Sequence, residues 1–134
     1  MKNQTIIRFE IFLLASLFLS MQSVFAQGGK MMPKDGSTIQ ISKYSFDETV
    51  DILKGAIEEQ NLKVIKEIDV QKMLRMAGKE VKGIKQLLYF NPNYGRRIYE
   101  TNNKAGIQIP LKFIVMEKPD GKVVVRYFMP VETV

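Results

Sequence analysis

The residues best suited to recognise a small molecule lie in one polar connection between two apolar stretches of the chain. Residues 87–112 read LLYFNPNYGRRIYETNNKAGIQIPLK. Arginine can hydrogen-bond a carboxylate or phosphate at two points, tyrosine supplies flat apolar area, and amides supply adaptable donors and acceptors. This mixture predicts a pocket for a small anionic ligand, or a protein interface. The candidate ligand-binding residues are Asn91, Tyr94, Arg96, Arg97, Tyr99 and Lys112.

Catalysis is a weaker interpretation of the same connection. The chain has 0 Cys and 0 His, which excludes thiolate nucleophiles, histidine bases and most zinc or haem sites built from this chain alone. We therefore expect no catalytic residue, no metal and no cofactor. Glu100 is the only carboxylate of the connection. A hydrolase built around Glu100 would need a second carboxylate, such as Asp69 or Glu117, brought close by folding.

A purely structural interpretation of the connection stays open beside the functional one. Asn91-Pro92 can simply end a strand, because proline cannot continue a hydrogen-bonded ladder. Residues 94–99 can form a short covering helix with exposed arginines. Pro110 can begin the next strand. Under this interpretation the same residues serve the backbone and contact no ligand.

The segment before the connection predicts two strands and two helices. Residues 38–44 alternate and predict a first strand, with Ile39 and Ile41 on one side. Ser45 begins an S-x-x-E capping box for a helix to about residue 60, with an apolar stripe at helical spacing. Residues 62–68 predict a second strand that carries Leu62, Val64 and Ile68 on one face. A short helix over 69–78 follows, capped by its first aspartate and ended by glycine.

Three further strands are predicted around the connection. Residues 84–90 are apolar at their end and favour an interior strand. Residues 111–118 and 122–128 flank Pro119-Asp120-Gly121, a strong hairpin turn signal because proline presets the turn and glycine accepts a positive φ. The apolar rows of the two hairpin strands match. They consist of Leu111, Phe113 and Val115 on one strand and Val123, Val125 and Tyr127 on the other.

The N-terminal residues predict export. Residues 1–26 combine a positive start, a short apolar run and a Val24-Phe25-Ala26 cleavage site, so we expect a signal peptide that is cut after Ala26. The product would be periplasmic or secreted, with no stable membrane span after cleavage. Residues 27–37 are rich in glycine and predict a linker, and residues 38–134 predict a single domain. The alternative is an uncleaved membrane anchor.

The basic charge balance fits a solvated surface better than a nucleic-acid site. The formal net charge is +6. Residues 1–26 contribute +1 through two basic residues and one acidic residue, which leaves +5 for the remainder. Export and the absence of a recognisable motif argue against nucleic acid as a partner.

Five segments carry recognisable motifs: S-F-D-E-T-V at 45–50, K-V-I-K-E-I-D at 63–69, L-L-Y-F-N-P at 87–92, A-G-I-Q-I-P-L-K at 105–112, and D-G-K-V at 120–123 with Tyr127. Together they resemble the DUF302 family, a small bacterial and archaeal domain of unknown function. The resemblance covers roughly residues 38–130. The positions that carry its motifs are Asn91, Pro92, Gly106 and Pro110, so we also expect Pro92, Gly106 and Pro110 to be structural.

The resemblance implies an α+β fold of the β-α-β(4)-α (TBP-like) type, with helices packed on one face of an antiparallel sheet. It implies no reaction, and it implies frequent dimers. The family usually closes with a C-terminal helix, which the sequence after residue 128 does not predict. We therefore expect either binding of a small anionic ligand or a homodimer in which a second copy covers apolar sheet surface.

Overall fold

The computed structural model describes residues 30–31, 33–101, 104 and 109–128. Along the chain, the elements are β1 (Lys30–Met31), β2 (Ser37–Ser42), α1 (Phe46–Glu59), β3 (Lys63–Asp69), α2 (Val70–Met76), β4 (Ile84–Phe90), α3 (Pro92–Thr101), β5 (Leu111–Glu117) and β6 (Val123–Phe128). The strands form one antiparallel sheet in the order β1-β2-β6-β5-β4-β3. The predicted α+β class with an antiparallel sheet is confirmed. Strand β1 lies within the range that the sequence predicts as a linker.

Helix α1 packs its apolar stripe on one side of the sheet, and we call this side the core face and the opposite side the outer face. The predicted capping box is present: the Glu48 amide donates to Ser45 Oγ at 3.3 Å, and the Ser45 amide donates to the Glu48 carboxylate at 3.1 Å. Both bonds satisfy amides that the first helical turn leaves without partners. The core cluster joins the helix to strands β4, β5 and β6; its buried members are Val50, Leu53, Ile57, Leu62, Leu87, Tyr89, Phe113, Val115, Val123, Val125 and Tyr127.

Aromatic rings fill the middle of this core. The ring centroids of Tyr89 and Phe113 lie 4.9 Å apart in a stacked arrangement, and those of Phe113 and Tyr127 lie 5.4 Å apart edge to face. Burial, and secondarily the nearby Tyr127, raises the pKa of the Tyr89 phenol well above its usual range. The predicted apolar rows of the β5–β6 hairpin are confirmed, because their residues are buried in the core cluster or, in the case of Leu111, packed against it.

Strand β2 turns its polar side toward the core. Thr38, Gln40 and Ser42 pair with residues of β6 whose side chains lie in the core, so they share the core face. The Ser42 and Thr49 hydroxyls are 2.7 Å apart, and Thr49 Oγ1 donates to the Ser45 carbonyl at 2.7 Å. These bonds satisfy the buried hydroxyls of Ser42 and Thr49, whereas Thr38 Oγ1 is buried without a hydrogen-bond partner among the described residues. The isoleucines of β2 consequently lie on the outer face.

Strand β3 contains a bulge that changes which residues share a face. The pairing runs from Val64 opposite Tyr89 directly to Lys66 opposite Leu88, which leaves Ile65 as the extra residue. Val64 therefore lies on the core face, whereas Ile68, paired with Gln86, lies on the outer face. The prediction that Val64 and Ile68 share one face is wrong, because strict alternation does not count the extra residue.

Candidate functional site

Asn91 joins the start of helix α3 to the turn that follows α1. Its Oδ1 accepts from the Asn93 amide at 2.9 Å, and its Nδ2 donates to the Asn61 carbonyl at 2.6 Å. Asn61 has a positive φ of 61°, as the sequence predicts for the residue that ends α1. Pro92 takes the first helical position, where a missing N–H costs nothing. Both polar groups of Asn91 are thus engaged with the backbone.

Helix α3 has one side against the core and one side toward solvent. Tyr94 packs against the core cluster, and the guanidinium carbon of Arg97 lies 5.3 Å from the centroid of the Tyr94 ring. Arg96, Tyr99 and Glu100 are exposed on the other side, where helical spacing makes them neighbours. The Nε of Arg96 is 3.8 Å from the Glu100 carboxylate. The predicted site residues of α3 therefore divide into two groups.

The exposed group borders a groove on helix α3. Gly95 is buried against Phe90: a Cβ built on Gly95 would lie 2.2 Å from two atoms of the Phe90 ring. Only glycine permits this approach of the helix to the ring. The cavity has a volume of about 700 Å³ and a mainly apolar surface; its lining residues are Phe90, Pro92, Gly95, Arg96, Tyr99, Glu100 and Ile109.

The remaining predicted residues lie beside this groove or outside the described structure. Lys112 is exposed on β5 opposite Leu88, on the outer face that also carries Phe90. Pro110 directly precedes β5 and follows Ile109, a wall of the groove. Gly106 lies outside the described residues. The structure therefore brings Arg96, Tyr99 and Pro92 together and leaves Asn91, Tyr94 and Arg97 on the other side of the helix.

The sequence analysis did not identify two residues that line the groove, Ile109 and Gly95. Nothing in the sequence indicates a role for Ile109 apart from its position before Pro110. Gly95 is an isolated glycine in the sequence, and its meaning depends on the ring of Phe90 five residues earlier. A glycine on one side of an amphipathic helix that follows an aromatic strand end is the one pattern that could have indicated a close helix–strand approach.

Neither of the two carboxylates that the sequence suggests as partners of Glu100, Asp69 and Glu117, lies near it among the described residues. Asp69 caps α2 by accepting from the Lys72 amide at 2.9 Å, and it pairs in register with Lys85. Glu117 is 3.7 Å from Lys82, at the same end of β4. The groove is at the other end of β4, five residues or about 17 Å away. Neither carboxylate can form an acid pair with Glu100 in this arrangement.

The described residues contain neither a group of three metal-binding side chains nor a helix long and apolar enough to cross a membrane. These two findings concern only the ranges that the structure covers.

Comparison with known proteins gives a family match and a similarity to a solved structure. The model of the family described as "Domain of unknown function DUF302" matches residues 38–134. A crystal structure of an uncharacterized conserved DUF302 protein from Bacillus stearothermophilus superposes with a TM-score of 0.63 at 18% sequence identity, covering 69% of this chain and 72% of that chain. At this identity the likeness concerns the fold. The search of curated proteins gave no match.

Proposed function

We propose a function from the premise that this chain belongs to the DUF302 family, a family of unknown function. The protein binds a small, largely apolar ligand in the groove between helix α3 and Phe90, with an anionic group of the ligand near Arg96. The function is binding and not catalysis.

The observation that carries this proposal is the close approach of Gly95 to Phe90. The approach brings the helix against the end of β4, and the Phe90 ring lines a cavity that Tyr99 and Ile109 also line. Small-molecule sites are typically concave, mostly apolar and 300–1,000 Å³ in volume. The volume of about 700 Å³ falls within that range. Tyr99 is 65% exposed, so its ring is available to cover a ligand.

Calorimetric titration with 1-octanol, a neutral apolar probe, tests the groove. We expect saturable binding to the wild type and a loss of about threefold to tenfold in affinity for Tyr99→Ala, because one aromatic contact contributes about 1 kcal/mol. Met76→Ala is the matched control, since Met76 is 82% exposed on α2, away from the groove. If the wild type does not bind octanol, or if both variants lose octanol affinity equally, the groove is not the binding site.

We further propose that the protein is exported and acts in the periplasm or outside the cell. Residues 1–26, which carry the signal-peptide pattern, lie outside the described residues. Intact-mass measurement of the protein recovered from the envelope fraction tests the proposal. A chain that begins at Gln27 supports export, and an intact chain in the cytoplasm contradicts it.

A homodimeric interaction module is the second candidate. Apolar side chains of β1, β2 and β6 share the outer face: Met31 is 50% exposed and Phe128 61% exposed, and the isoleucines of β2 lie between their strands. Exposed apolar area of this kind often marks an interface. A dimer predicts that the melting temperature rises with protein concentration. A melting temperature that is constant from nanomolar to high micromolar concentration, with a monomer mass throughout, would rule it out.

A further inference from the structure

We propose that the outer face beside the groove binds a phosphate group, held by Lys63, Lys66 and Lys112. This inference rests on the proposed function, since the apolar part of the same ligand would lie in the groove. The ligand class is therefore a phosphate ester with an apolar body. A soluble phosphate ester and a phospholipid headgroup share this chemistry.

The bulge in β3 places two of these lysines beside the groove. Lys63 pairs in register with Phe90, whose ring lines the groove, and Lys66 pairs with Leu88. Directly paired residues of antiparallel strands lie on the same face. In a regular strand, residues 63 and 66 would project to opposite faces, because side chains alternate. The extra residue Ile65 brings both ammonium groups to the outer face.

Lys112 completes the arrangement from the opposite side of β4. It pairs with Leu88 on β5, so Leu88 lies between Lys66 and Lys112. Adjacent strands are about 4.8 Å apart, and Leu88 is about 7 Å along β4 from Phe90. Flexible lysine side chains span these distances, so their ammonium groups can meet at one anion beside the groove.

The three lysines differ in their charge partners from Lys54 of α1 and Lys85 of β4. Lys54 and Lys85 both form ion pairs with Glu67 on the core face, and these contacts lower the pKa of the Glu67 carboxyl. Among the residues that the structure covers, Lys63, Lys66 and Lys112 form no ion pair. The bulge thus separates the charges of β3: its lysines face outward, and its acidic residues lie on the core face.

Phosphate is the anion that suits this arrangement. Lysine acts as a compact point charge with three donors, which suits the several oxygens and the double charge of a phosphate monoester. Arginine forks favour planar carboxylates, but among the described residues Arg96 is the one arginine that lines the groove, and its exposed guanidinium can add a single charged contact beside the three lysines. Three lysines without acidic partners therefore favour a phosphate over a single carboxylate.

Titration of the protein with octyl phosphate and 1-octanol, both below their micelle concentrations, tests the inference. The variant Lys63→Gln/Lys66→Gln/Lys112→Gln removes the proposed phosphate site. The control Lys72→Gln/Lys79→Gln/Lys118→Gln removes the same charge from exposed lysines elsewhere. We expect the first variant to bind octyl phosphate at least about tenfold more weakly, because charge-assisted hydrogen bonds are lost. Octanol binding should be unchanged, and the control should behave like the wild type.

Each outcome distinguishes the phosphate site from the groove. Equal octyl phosphate affinity in both triple variants would overturn the phosphate site and leave the groove intact. If the wild type binds neither octyl phosphate nor 1-octanol, the proposed groove site and the inference that rests on it are both overturned. Vesicles of phosphatidic acid, compared with phosphatidylcholine, separate the sources. Lysine-dependent vesicle binding in addition to octyl phosphate binding assigns the phosphate to a lipid, and binding of octyl phosphate alone assigns it to a soluble ester. Vesicle binding without octyl phosphate binding would contradict the inference.

Discussion

Lys63 and Lys66 project from the same face of strand β3, although they are three positions apart in the sequence. Lys63 is opposite Phe90 and Lys66 is opposite Leu88, because the bulge takes Ile65 out of the alternation. One consequence is a row of positive charge beside the groove. The other is that Glu67 turns to the core face, where it meets Lys54 and Lys85.

The free energy of unfolding should decrease at acidic pH because protonation of Glu67 removes its ion pairs with Lys54 and Lys85. Hydrogen bonds from Lys54 and then from Lys85 lower the pKa of this carboxyl from its usual 4.5. A depressed pKa stabilises the fold above the unfolded-state pKa, and that contribution is lost as the pH falls through the folded-state pKa. We expect Glu67→Gln to lower the free energy of unfolding by about 1–2 kcal/mol at pH 7. The difference from the wild type should shrink below pH 4.5 in denaturant titrations.

The matched control for this experiment is Glu58→Gln, an exposed position on α1. We expect it to change neither the stability at pH 7 nor its pH dependence. An acid profile that is the same for the wild type and Glu67→Gln would contradict the assigned ion pairs.

Substitution of Gly95 should separate helix α3 from strand β4. The added methyl group of Gly95→Ala would lie 2.2 Å from the Phe90 ring, so the helix must move. Overpacking of this kind costs about 1–3 kcal/mol. Gly55→Ala is the control, because Gly55 is exposed in the middle of α1 with no atom within 4 Å of the added methyl. Alanine there should stabilise the protein by about 0.5–1 kcal/mol. Equal changes in both melting temperatures would contradict the close approach.

Asn91 should matter for stability and not for ligand affinity. Its amide donates to the Asn61 carbonyl and its oxygen accepts from the Asn93 amide. Asn91→Ala should therefore lower the free energy of unfolding by about 1–2 kcal/mol. Asn91→Asp keeps the oxygen that accepts from the Asn93 amide, so it should lower the free energy of unfolding by less than Asn91→Ala does. Octanol affinity of the folded protein should be unchanged. Loss of affinity with unchanged stability would instead assign Asn91 to ligand binding.

Substitutions of Arg96 and Arg97 should have different effects on ligand affinity, although the two residues are adjacent in the sequence. Arg96 lines the groove, whereas Arg97 lies over the Tyr94 ring on the core side of α3. Arg96→Ala should weaken octyl phosphate binding about threefold to tenfold, the range for an exposed charged contact. Arg97→Ala should leave affinity unchanged and cost up to about 1 kcal/mol in stability. The reverse order of affinities in calorimetry would place the ligand on the other side of the helix.

The fold could be predicted from the sequence where local signals decide it. The Ser45 capping box, the turn at Gly121 and the alternation of the β5–β6 hairpin are each determined by neighbouring residues, and the structure contains all three. The β3 bulge depends on pairing with β4, so the alternation of β3 alone placed Ile68 on the wrong face. The prediction of strand interior for residues 84–90 holds because this segment pairs on both sides.

The candidate site was less predictable because it depends on side-chain direction. Sequence proximity grouped Asn91, Arg96 and Arg97, but the helical turn sends them to different surroundings. Phe90 contributes to the groove because a glycine five residues later lets the helix approach its ring. Lys63 lies beside the groove because β3 pairs with β4 in a register that places it opposite Phe90. The strand register leaves no pattern within one segment, and the one local indication of the Phe90–Gly95 approach is a glycine in a helix that follows an aromatic strand end.

The most direct test of the central claim is mapping of backbone amide chemical shifts during titration with 1-octanol. The claim predicts saturable shifts concentrated at Phe90, Gly95, Tyr99 and Ile109, and small shifts on β1 and β2. Octyl phosphate should extend the affected set to Lys63, Lys66 and Lys112. If saturable shifts center on another surface, or if no amide shifts at millimolar octanol, the groove is not the binding site.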